Sequence, residues 1–275
     1  MSLSLEPVEV EDNYRLHRRF DRMGRLVGDA GMARLLGARV MVIGLGGVGS
    51  YAAEALARSG VGHLWLVDFD KVCITNTNRQ LQAMQGCVGK FKADVLAERI
   101  QKINPQAQVV AEKLFYNERT SERLLEIAPD FVVDCIDNIT AKCHLLSACR
   151  SRGQAVVCST GASGRIDPTQ IKVGDLAETR VDPLASSVRK ILRQKYDFPA
   201  KGKFGIPSVY SVEHAAAPEE LTYDEGKGFR CVCPGGKNEN HSCEDRSVIY
   251  GTAGFVTGTF GNVCASLVIR QLVER

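Results

Sequence analysis

The sequence predicts a doubly wound α/β domain with a mostly parallel sheet, and three observations support this prediction. Short apolar runs typical of buried strands recur along the first 160 residues, and helical segments alternate with them. A glycine-rich turn joins the first strand to the first of these helices. Polar residues cluster directly after the strands, at the edge where sheets of this kind bind their ligands.

The predicted elements follow one another in a regular order. Their apolar composition predicts strands at 39–43, 63–67, 108–112, 131–134 and 155–159. Helical patterns occupy 50–59, 90–103 and 138–152. Gly60 ends the first helix, because glycine suits the left-handed position after a helix, and Pro105 lies just beyond the second.

The pattern changes after Thr160. Residues 166–173 contain a turn-prone Asp-Pro pair and are predicted to form a hairpin or a loop. Asp182-Pro183 predicts the start of a helix that runs to about Lys195, because proline is favoured at the first helical position. The remaining predictions are a loop at 199–205, a strand at 209–213 and a polar segment at 219–246 that we expect to be mobile.

The composition limits the classes of function. The 275 residues are enough for one large α/β domain, and the formal net charge of +3 permits nucleic-acid binding without indicating it. Residues 1–11 lack a positively charged start followed by an apolar run, so we expect no secretory signal. Most of the ten cysteines lie among apolar or helical patterns, which favours free thiols and a cytoplasmic protein over a disulfide framework.

One segment near the C-terminus has the length of a membrane span. Residues 247–269 contain no charged side chain, which meets a simple length rule for spanning a bilayer. Four glycines and several hydroxyl side chains lower the apolar density of this segment. We therefore expect a buried helix and no stable membrane insertion.

A glycine-rich loop between the first strand and its helix predicts a phosphate-binding turn. Glycines let the backbone approach phosphates, and the helix N-terminus offers N–H groups and partial positive charge. Asp68 and Asp70 end the second strand, where an acid can bind ribose hydroxyls. The alternative is a tight turn without a ligand, and the motif alone does not separate NAD from ATP. The loop glycines are Gly44, Gly46, Gly47 and Gly49.

A second group of polar residues favours ATP and adenylation. Attack of a carboxylate on the α-phosphate builds negative charge along the triphosphate, so fixed cations are needed there. Arg79 offers a planar fork for phosphate oxygens, and Lys92 adds a point charge at the start of the next helix. Asp137 follows the fourth strand and can hold a magnesium ion. Further candidate nucleotide contacts are Asn76, Asn78 and Asn138.

Each of these residues also has a simpler interpretation. Arg79 could be a surface arginine, Lys92 an ordinary helix cation, and Asp137-Asn138 a helix N-cap. Their occurrence together and in this order, after the glycine loop, favours the adenylation hypothesis.

Seven short motifs together resemble the ubiquitin-activating superfamily, in its ThiF/MoeB/HesA branch. The resemblance spans about residues 14–160 and implies a Rossmann-like fold with ATP and magnesium as cofactors. It also implies a homodimer in which Arg22 reaches the nucleotide of the other subunit. The motifs are Arg19-Phe-Asp-Arg22-Met, Gly44–Ser50, Asp68-x-Asp70, Asn76-x-Asn78-Arg79-Gln80, Gly89-Lys-Phe-Lys92, Asn104-Pro105 and Asp134-x-x-Asp137-Asn138.

The second half resembles the members of this superfamily that modify threonylcarbamoyladenosine in tRNA. This resemblance rests on Thr160–Gln170, Asp175-Leu176 and Asp182–Leu184. It implies that ATP adenylates the threonyl carboxylate and that the tethered carbamoyl group then closes on the activated carbonyl, which needs no enzyme cysteine. We therefore expect one domain over 1–275, with a nucleotide-binding core at 14–160 and a smaller substrate-side extension, 161–275, packed on it.

The extension contains a basic cluster suited to a tRNA substrate. Six cations near the single acid Asp197 can follow a phosphate backbone, although a solvated amphipathic helix explains them equally well. Tyr196 and Phe198 are candidates for stacking on unpaired bases. The cations are Arg189, Lys190, Arg193, Lys195, Lys201 and Lys203.

Two other functions stay open at this point. Activators of ubiquitin-like sulfur-carrier proteins use a catalytic cysteine and often bind zinc through two Cys-x-x-Cys pairs. This chain has Cys231-Val-Cys233, His241 and Cys243, whose uneven spacing makes a poor zinc site. The same cysteines allow a cysteine desulfurase or a sulfur acceptor as partner, although a structural role is simpler. The second open function is that of an NAD-dependent oxidoreductase or a nucleotide-sensing module.

Overall fold

The computed structural model describes residues 18–221 and 250–274, and it confirms the predicted α/β fold. A seven-stranded sheet has the order β3-β2-β1-β4-β5-β7-β6, in which only β6 runs antiparallel, against β7. The strand order reverses between β1 and β4, which is where doubly wound sheets bind ligands. The strands are β1 Arg39–Ile43, β2 His63–Val67, β3 Gln108–Glu112, β4 Phe131–Asp134, β5 Val156–Ser159, β6 Ile171–Asp175 and β7 Pro207–Ser211.

Helices cover both faces of the sheet. Alternate side chains of β1 separate the two cores: Val40 and Val42 pack with α1, α2, α3 and α7, whereas Met41 and Ile43 pack with α4, α5 and α6. Helix α1 is broken at Gly28, whose φ of 70° lies outside the helical region. The helices are α1 Asp21–Gly37, α2 Gly49–Arg58, α3 Lys92–Ile103, α4 Glu118–Leu125, α5 Ile139–Ser151, α6 Pro183–Lys195 and α7 Gly254–Glu274.

Helix α1 was not predicted, and there are three further differences from the predicted elements. Helix α4 was not predicted, because it is short and polar, although it begins with a capping box at Asn117. The prediction of a hairpin or loop at 166–173 is wrong in its second half, since β6 pairs with β7 there. Strand β7 begins two residues before the predicted 209–213. The segment 219–246 lies almost entirely outside the described residues.

Residues 254–269 of the uncharged C-terminal segment lie in helix α7, and the glycines of this helix allow close packing on α2. A Cβ atom added at Gly261 would lie 2.4 Å from the carbonyl oxygen of Val48, and one at Gly258 would lie 3.0 Å from the Tyr51 ring. Within 18–221 and 250–274, no helix is long and apolar enough to cross a membrane. Helix packing therefore explains three of the four glycines in this segment, Gly254, Gly258 and Gly261.

We expect Gly261→Ala to destabilise the fold. The added methyl group meets the backbone of Val48 at 2.4 Å, and relief requires a shift of one whole helix. Overpacking of this kind costs about 1–3 kcal/mol in the free energy of unfolding, measurable by urea denaturation. Gly251→Ala is the matched control, because a Cβ atom there would meet nothing within 4 Å. Equal stability of the two variants would contradict the packing argument.

Candidate functional site

The glycine loop is folded tightly against the ends of β1 and β4. Gly44 has a φ of 88°, and a Cβ atom on it would lie 2.7 Å from the Cys135 carbonyl oxygen. A Cβ atom on Gly49 would lie 1.8 Å from the Gly44 carbonyl oxygen. Val48, the residue before α2, supplies no side-chain cap to this helix, and the Ser50 N–H group donates to the Gly46 carbonyl oxygen of the loop at 3.1 Å. This arrangement suits a phosphate group.

Two carboxylates and a lysine lie beside this loop. Asp68 is buried and accepts hydrogen bonds from the N–H groups of Leu45 (2.6 Å) and Asp70 (2.8 Å), which anchors the loop to the end of β2. Lys92 Nζ lies 2.7 Å from Asp70 Oδ2, and its side chain is only 7% exposed, against 35% for Asp70. Of the two acids predicted to bind ribose, Asp70 is therefore the more accessible.

Burial and neighbouring charges shift the pKa values of Lys92 and Asp68 in opposite directions. Burial alone would lower the pKa of Lys92, but Asp68 and Asp70 outweigh it, so the pKa is raised above its usual value. Burial raises the pKa of Asp68, and Lys92 only partly offsets that effect. Lys92 is consequently held as a cation at the edge of the loop.

The segment after β2 fixes the orientation of Arg79. Arg79 donates from one guanidinium nitrogen to the Thr75 carbonyl oxygen and to Asn78 Oδ1, both at 2.9 Å. Asn78 in turn donates from Nδ2 to the carbonyl oxygen of Thr252 at 2.7 Å. Asn76 is buried and accepts a hydrogen bond from the Cys73 N–H group. The carbonyl oxygen of Arg79 would lie 3.2 Å from a Cβ atom added at Gly47, so the backbone of this arginine adjoins the glycine loop.

Asp137 and Asn138 follow β4 on the other side of the loop, and both are exposed. Asn138 Oδ1 accepts a hydrogen bond from the Ala141 N–H group at 3.0 Å, so it caps α5, as its simpler interpretation predicted. Asp137 lies close enough to raise the pKa of Lys92. No group of three metal-binding side chains occurs among residues 18–221 and 250–274. A magnesium ion would therefore use Asp137 together with ligand phosphates, which is a common mode for this ion.

The structure brings most of the predicted site residues to one edge of the sheet, but not Arg22. The start of α1 packs near Gly60, and Arg19 donates to the Ile103 carbonyl oxygen, both at the opposite end of the strands. Arg22 itself is exposed, and no hydrogen bond or ion pair in the described part of the chain joins it to the glycine loop. Within one subunit, it is remote from this site.

Comparison with known proteins assigns the family. The sequence profile of the ThiF family matches residues 20–275. The chain belongs to the ThiF family.

Similar proteins match this ThiF-family chain over nearly all of its length. It is 39% identical to the tRNA threonylcarbamoyladenosine dehydratase of Haemophilus influenzae, over 96% of both chains. It also resembles crystal structures of the Escherichia coli tRNA N6-threonylcarbamoyladenosine dehydratase, TcdA. The complex with AMP superposes with a TM-score of 0.83 and 36% identity over 98% of both chains. The complex with ATP gives a TM-score of 0.82 over 97% of this chain and 98% of that one.

The basic cluster of this ThiF-family chain is divided between packed and exposed cations. Arg189 donates to Thr179 Oγ1, and Arg193 donates to the Pro199 carbonyl oxygen and lies 5.0 Å over the Phe204 ring. The other four cations, Lys190, Lys195, Lys201 and Lys203, are exposed.

The prediction that Phe198 stacks on RNA bases is wrong. Its side chain is buried against Phe204, and the Arg150 guanidinium covers its ring at 4.4 Å. Tyr196 is half-buried, and its role stays a prediction. The cysteines and the histidine considered for zinc, Cys231, Cys233, His241 and Cys243, lie outside the described residues.

Sequence reasoning missed two buried ion pairs beside the site. Lys142 pairs with Asp134 at 2.6 Å, and Arg165 pairs with Asp182 at 3.0 Å. Asp182 also caps α6, as predicted, by accepting from the Ala185 N–H group. A signal was present for the first pair, because Lys142 interrupts the otherwise apolar buried face of α5.

Proposed function

We propose that this chain uses ATP to dehydrate threonylcarbamoyladenosine in tRNA to its cyclic form. The observation that supports it most is the convergence of Arg79, Lys92 and Asp137 on the glycine loop, in a chain 39% identical over nearly its full length to a tRNA threonylcarbamoyladenosine dehydratase. The reaction consumes ATP and releases AMP and pyrophosphate.

In the first step, the threonyl carboxylate attacks the α-phosphate of ATP, and pyrophosphate leaves. The N-terminus of α2 and its glycine loop bind phosphate oxygens, while Arg79 and Lys92 stabilise the charge that develops in the transition state. Asp68 anchors the loop through Leu45. Asp70, Asn76, Asn78 and Asn138 complete the proposed nucleotide-binding set.

In the second step, the carbamoyl group of the same nucleoside closes on the activated carbonyl and expels AMP. This nucleophile is already tethered to its target, so the enzyme needs only to hold the two groups together and exclude water. Burial raises the pKa of Cys143 to about 11 and that of Cys149 to about 12, so neither thiol is suited to nucleophilic attack at neutral pH.

Magnesium and a second subunit complete the proposed active site. Asp137 would hold the ion together with ATP phosphates, and the ion would neutralise charge on the leaving pyrophosphate. A homodimer would bring Arg22 of one subunit to the nucleotide of the other, which agrees with its distance from the site of its own chain. The free cysteines of the described residues agree with a reducing cytoplasm.

The exposed lysines of the basic cluster are proposed to bind tRNA phosphates. We expect Lys190→Gln/Lys195→Gln to weaken tRNA binding and to reduce the slope of log K against log salt by about 1 for each lost phosphate contact. Fluorescence anisotropy over a range of salt concentrations measures both quantities. The matched control, Lys102→Gln/Lys172→Gln, removes two exposed lysines elsewhere. Equal slopes for the two double variants would contradict the assignment.

A carrier-protein activator is the second candidate function, and one assay separates it from the first. Release of AMP and pyrophosphate is measured with ATP and magnesium, with and without tRNA that carries threonylcarbamoyladenosine. Release that depends on this tRNA, with loss of one water from the nucleoside by mass spectrometry, supports the dehydratase. ATP turnover that depends instead on a small carrier protein would overturn it. Adding a cysteine desulfurase or a sulfur acceptor to the same assay tests whether such a partner acts through Cys231 and Cys233.

A further inference from the structure

A buried ion pair lies directly beneath the strand ends that form the site. Lys142 Nζ is 2.6 Å from Asp134 Oδ2, and their side chains are 1% and 0% exposed. Desolvation offsets much of the attraction in such a pair, and replacing both partners with apolar side chains is often neutral or stabilising. The stability of the fold is therefore a weak explanation for the pair.

The contacts of the pair join two neighbouring strand ends. Asp134 is the last residue of β4, and its other oxygen accepts a hydrogen bond from the Ile136 N–H group at 3.1 Å. Lys142 Nζ also donates to the carbonyl oxygen of Ser159, the last residue of β5, at 2.9 Å. One ammonium group thus links the end of β4 to the end of β5.

Each of these strand ends leads into a loop at the site. The turn 135–138 after β4 contains Asp137, and its Cys135 carbonyl oxygen contacts the glycine loop at Gly44. The loop Thr160–Arg165 follows β5, on the side of β4 away from the glycine loop. Arg165 holds this second loop by donating to the Ser163 carbonyl oxygen (3.1 Å) and to Asp182 (3.0 Å). The turn 135–138 thus lies on the side of β4 next to the glycine loop, and the loop Thr160–Arg165 lies on the other side, where the function proposed above would place the reacting nucleoside.

We propose that Lys142 is a positioning residue that fixes the separation between Asp137 and the loop Thr160–Arg165. It does not touch ATP or the nucleoside, because it is buried below both loops. Its contribution is to keep the carboxylate and the α-phosphate at reacting distance, since misplacement by about 1 Å can lower a rate by about 100-fold. This inference rests on the function proposed above.

The test compares stability with turnover in variants of the pair. Lys142→Met leaves the Asp134 charge buried and unpaired, so we expect it to lower both stability and kcat. Lys142→Met/Asp134→Asn removes both charges at similar volume, and we expect its stability to return towards that of the unmodified protein. Its kcat for cyclisation should nevertheless stay about 10–100-fold lower, with the KM for ATP changed by less than about 3-fold.

Two further variants make the result decisive. Lys102→Met, at an exposed position of α3, controls for the loss of a lysine and should not change kcat. If the double variant does not fold, Lys142→Gln replaces it, since the shorter amide cannot bind both strand ends and should lower kcat.

The outcomes distinguish this inference from the function on which it rests. Recovery of kcat together with stability in the double variant, or an unchanged kcat in Lys142→Gln, would show that the pair is only structural. Absence of cyclisation by the unmodified protein would instead refute the proposed function itself.

Discussion

Replacing Arg79 with alanine will lower kcat/KM for cyclisation by about 10²–10³-fold, the loss typical of a deleted anion-stabilising donor. The guanidinium is held by Thr75 and Asn78, and the Arg79 backbone adjoins the glycine loop at Gly47, so the position of the side chain is set before ATP binds. Steady-state kinetics with modified tRNA, and ATP–pyrophosphate exchange, both report the effect. We expect Lys92→Ala to cause a similar loss, because it removes the cation held between Asp70 and the loop.

The control for these variants lies within the motif that contains Lys92. Lys90 is exposed and only two residues from Lys92, so Lys90→Ala makes the same change of charge away from the loop. We expect its kcat/KM to stay within about 2-fold of the original value, as for an ordinary surface substitution. Near-normal turnover in both Arg79→Ala and Lys92→Ala would refute the roles assigned to them.

Mixing two inactive variants will restore about a quarter of the active sites if Arg22 acts across a dimer. In a heterodimer of Arg22→Ala and Asp137→Ala, one site keeps both side chains and the other lacks both. After random subunit exchange, half of the symmetric dimers are of this mixed kind. One of the two sites in each mixed dimer is intact, so about a quarter of all sites regain activity. The rate of AMP release after mixing, relative to each variant alone, is the measurement.

Subunit exchange must be demonstrated for this experiment to be informative. Differently tagged subunits that copurify after mixing provide that check. A mixture of Arg22→Ala with Arg79→Ala should behave in the same way, because Arg79 belongs to the other half of the site. Confirmed exchange without any recovery of activity would contradict the assignment of Arg22 in trans.

The elements predicted best from sequence are those whose burial dictates their composition. Strands β1, β2 and β4 have the predicted bounds, because central strands of a parallel sheet are covered on both faces and consist of continuous apolar runs. The edge strand β3 also has its predicted bounds, although it is only partly buried. Helix α4 was missed for the opposite reason. Only Ser121, Leu124 and Leu125 of its eight residues are buried, so its sequence is dominated by solvent-exposed polar side chains.

The site could be predicted in its residue types but not in its supporting contacts. Local spacing placed Asp70 and Lys92 at strand and helix ends, and the structure joins them in one ion pair. The hydrogen bond from Asn78 to Thr252 crosses 174 positions of sequence, and no local pattern predicts such a contact. Asn78 was predicted as a nucleotide contact, whereas its observed bonds also orient Arg79.

Packing of α7 on the glycine loop has a consequence for how the protein matures during synthesis. A Cβ atom on Gly254, the first residue of α7, would lie 2.4 Å from the Asn78 carbonyl oxygen, and Gly261 packs on Val48. During synthesis, the glycine loop, α2 and Arg79 emerge from the ribosome long before the 21 residues of α7. The nascent chain therefore exposes the apolar face of α2 until α7 emerges. We expect chaperones to bind it in that interval, and ATP affinity to develop only afterwards.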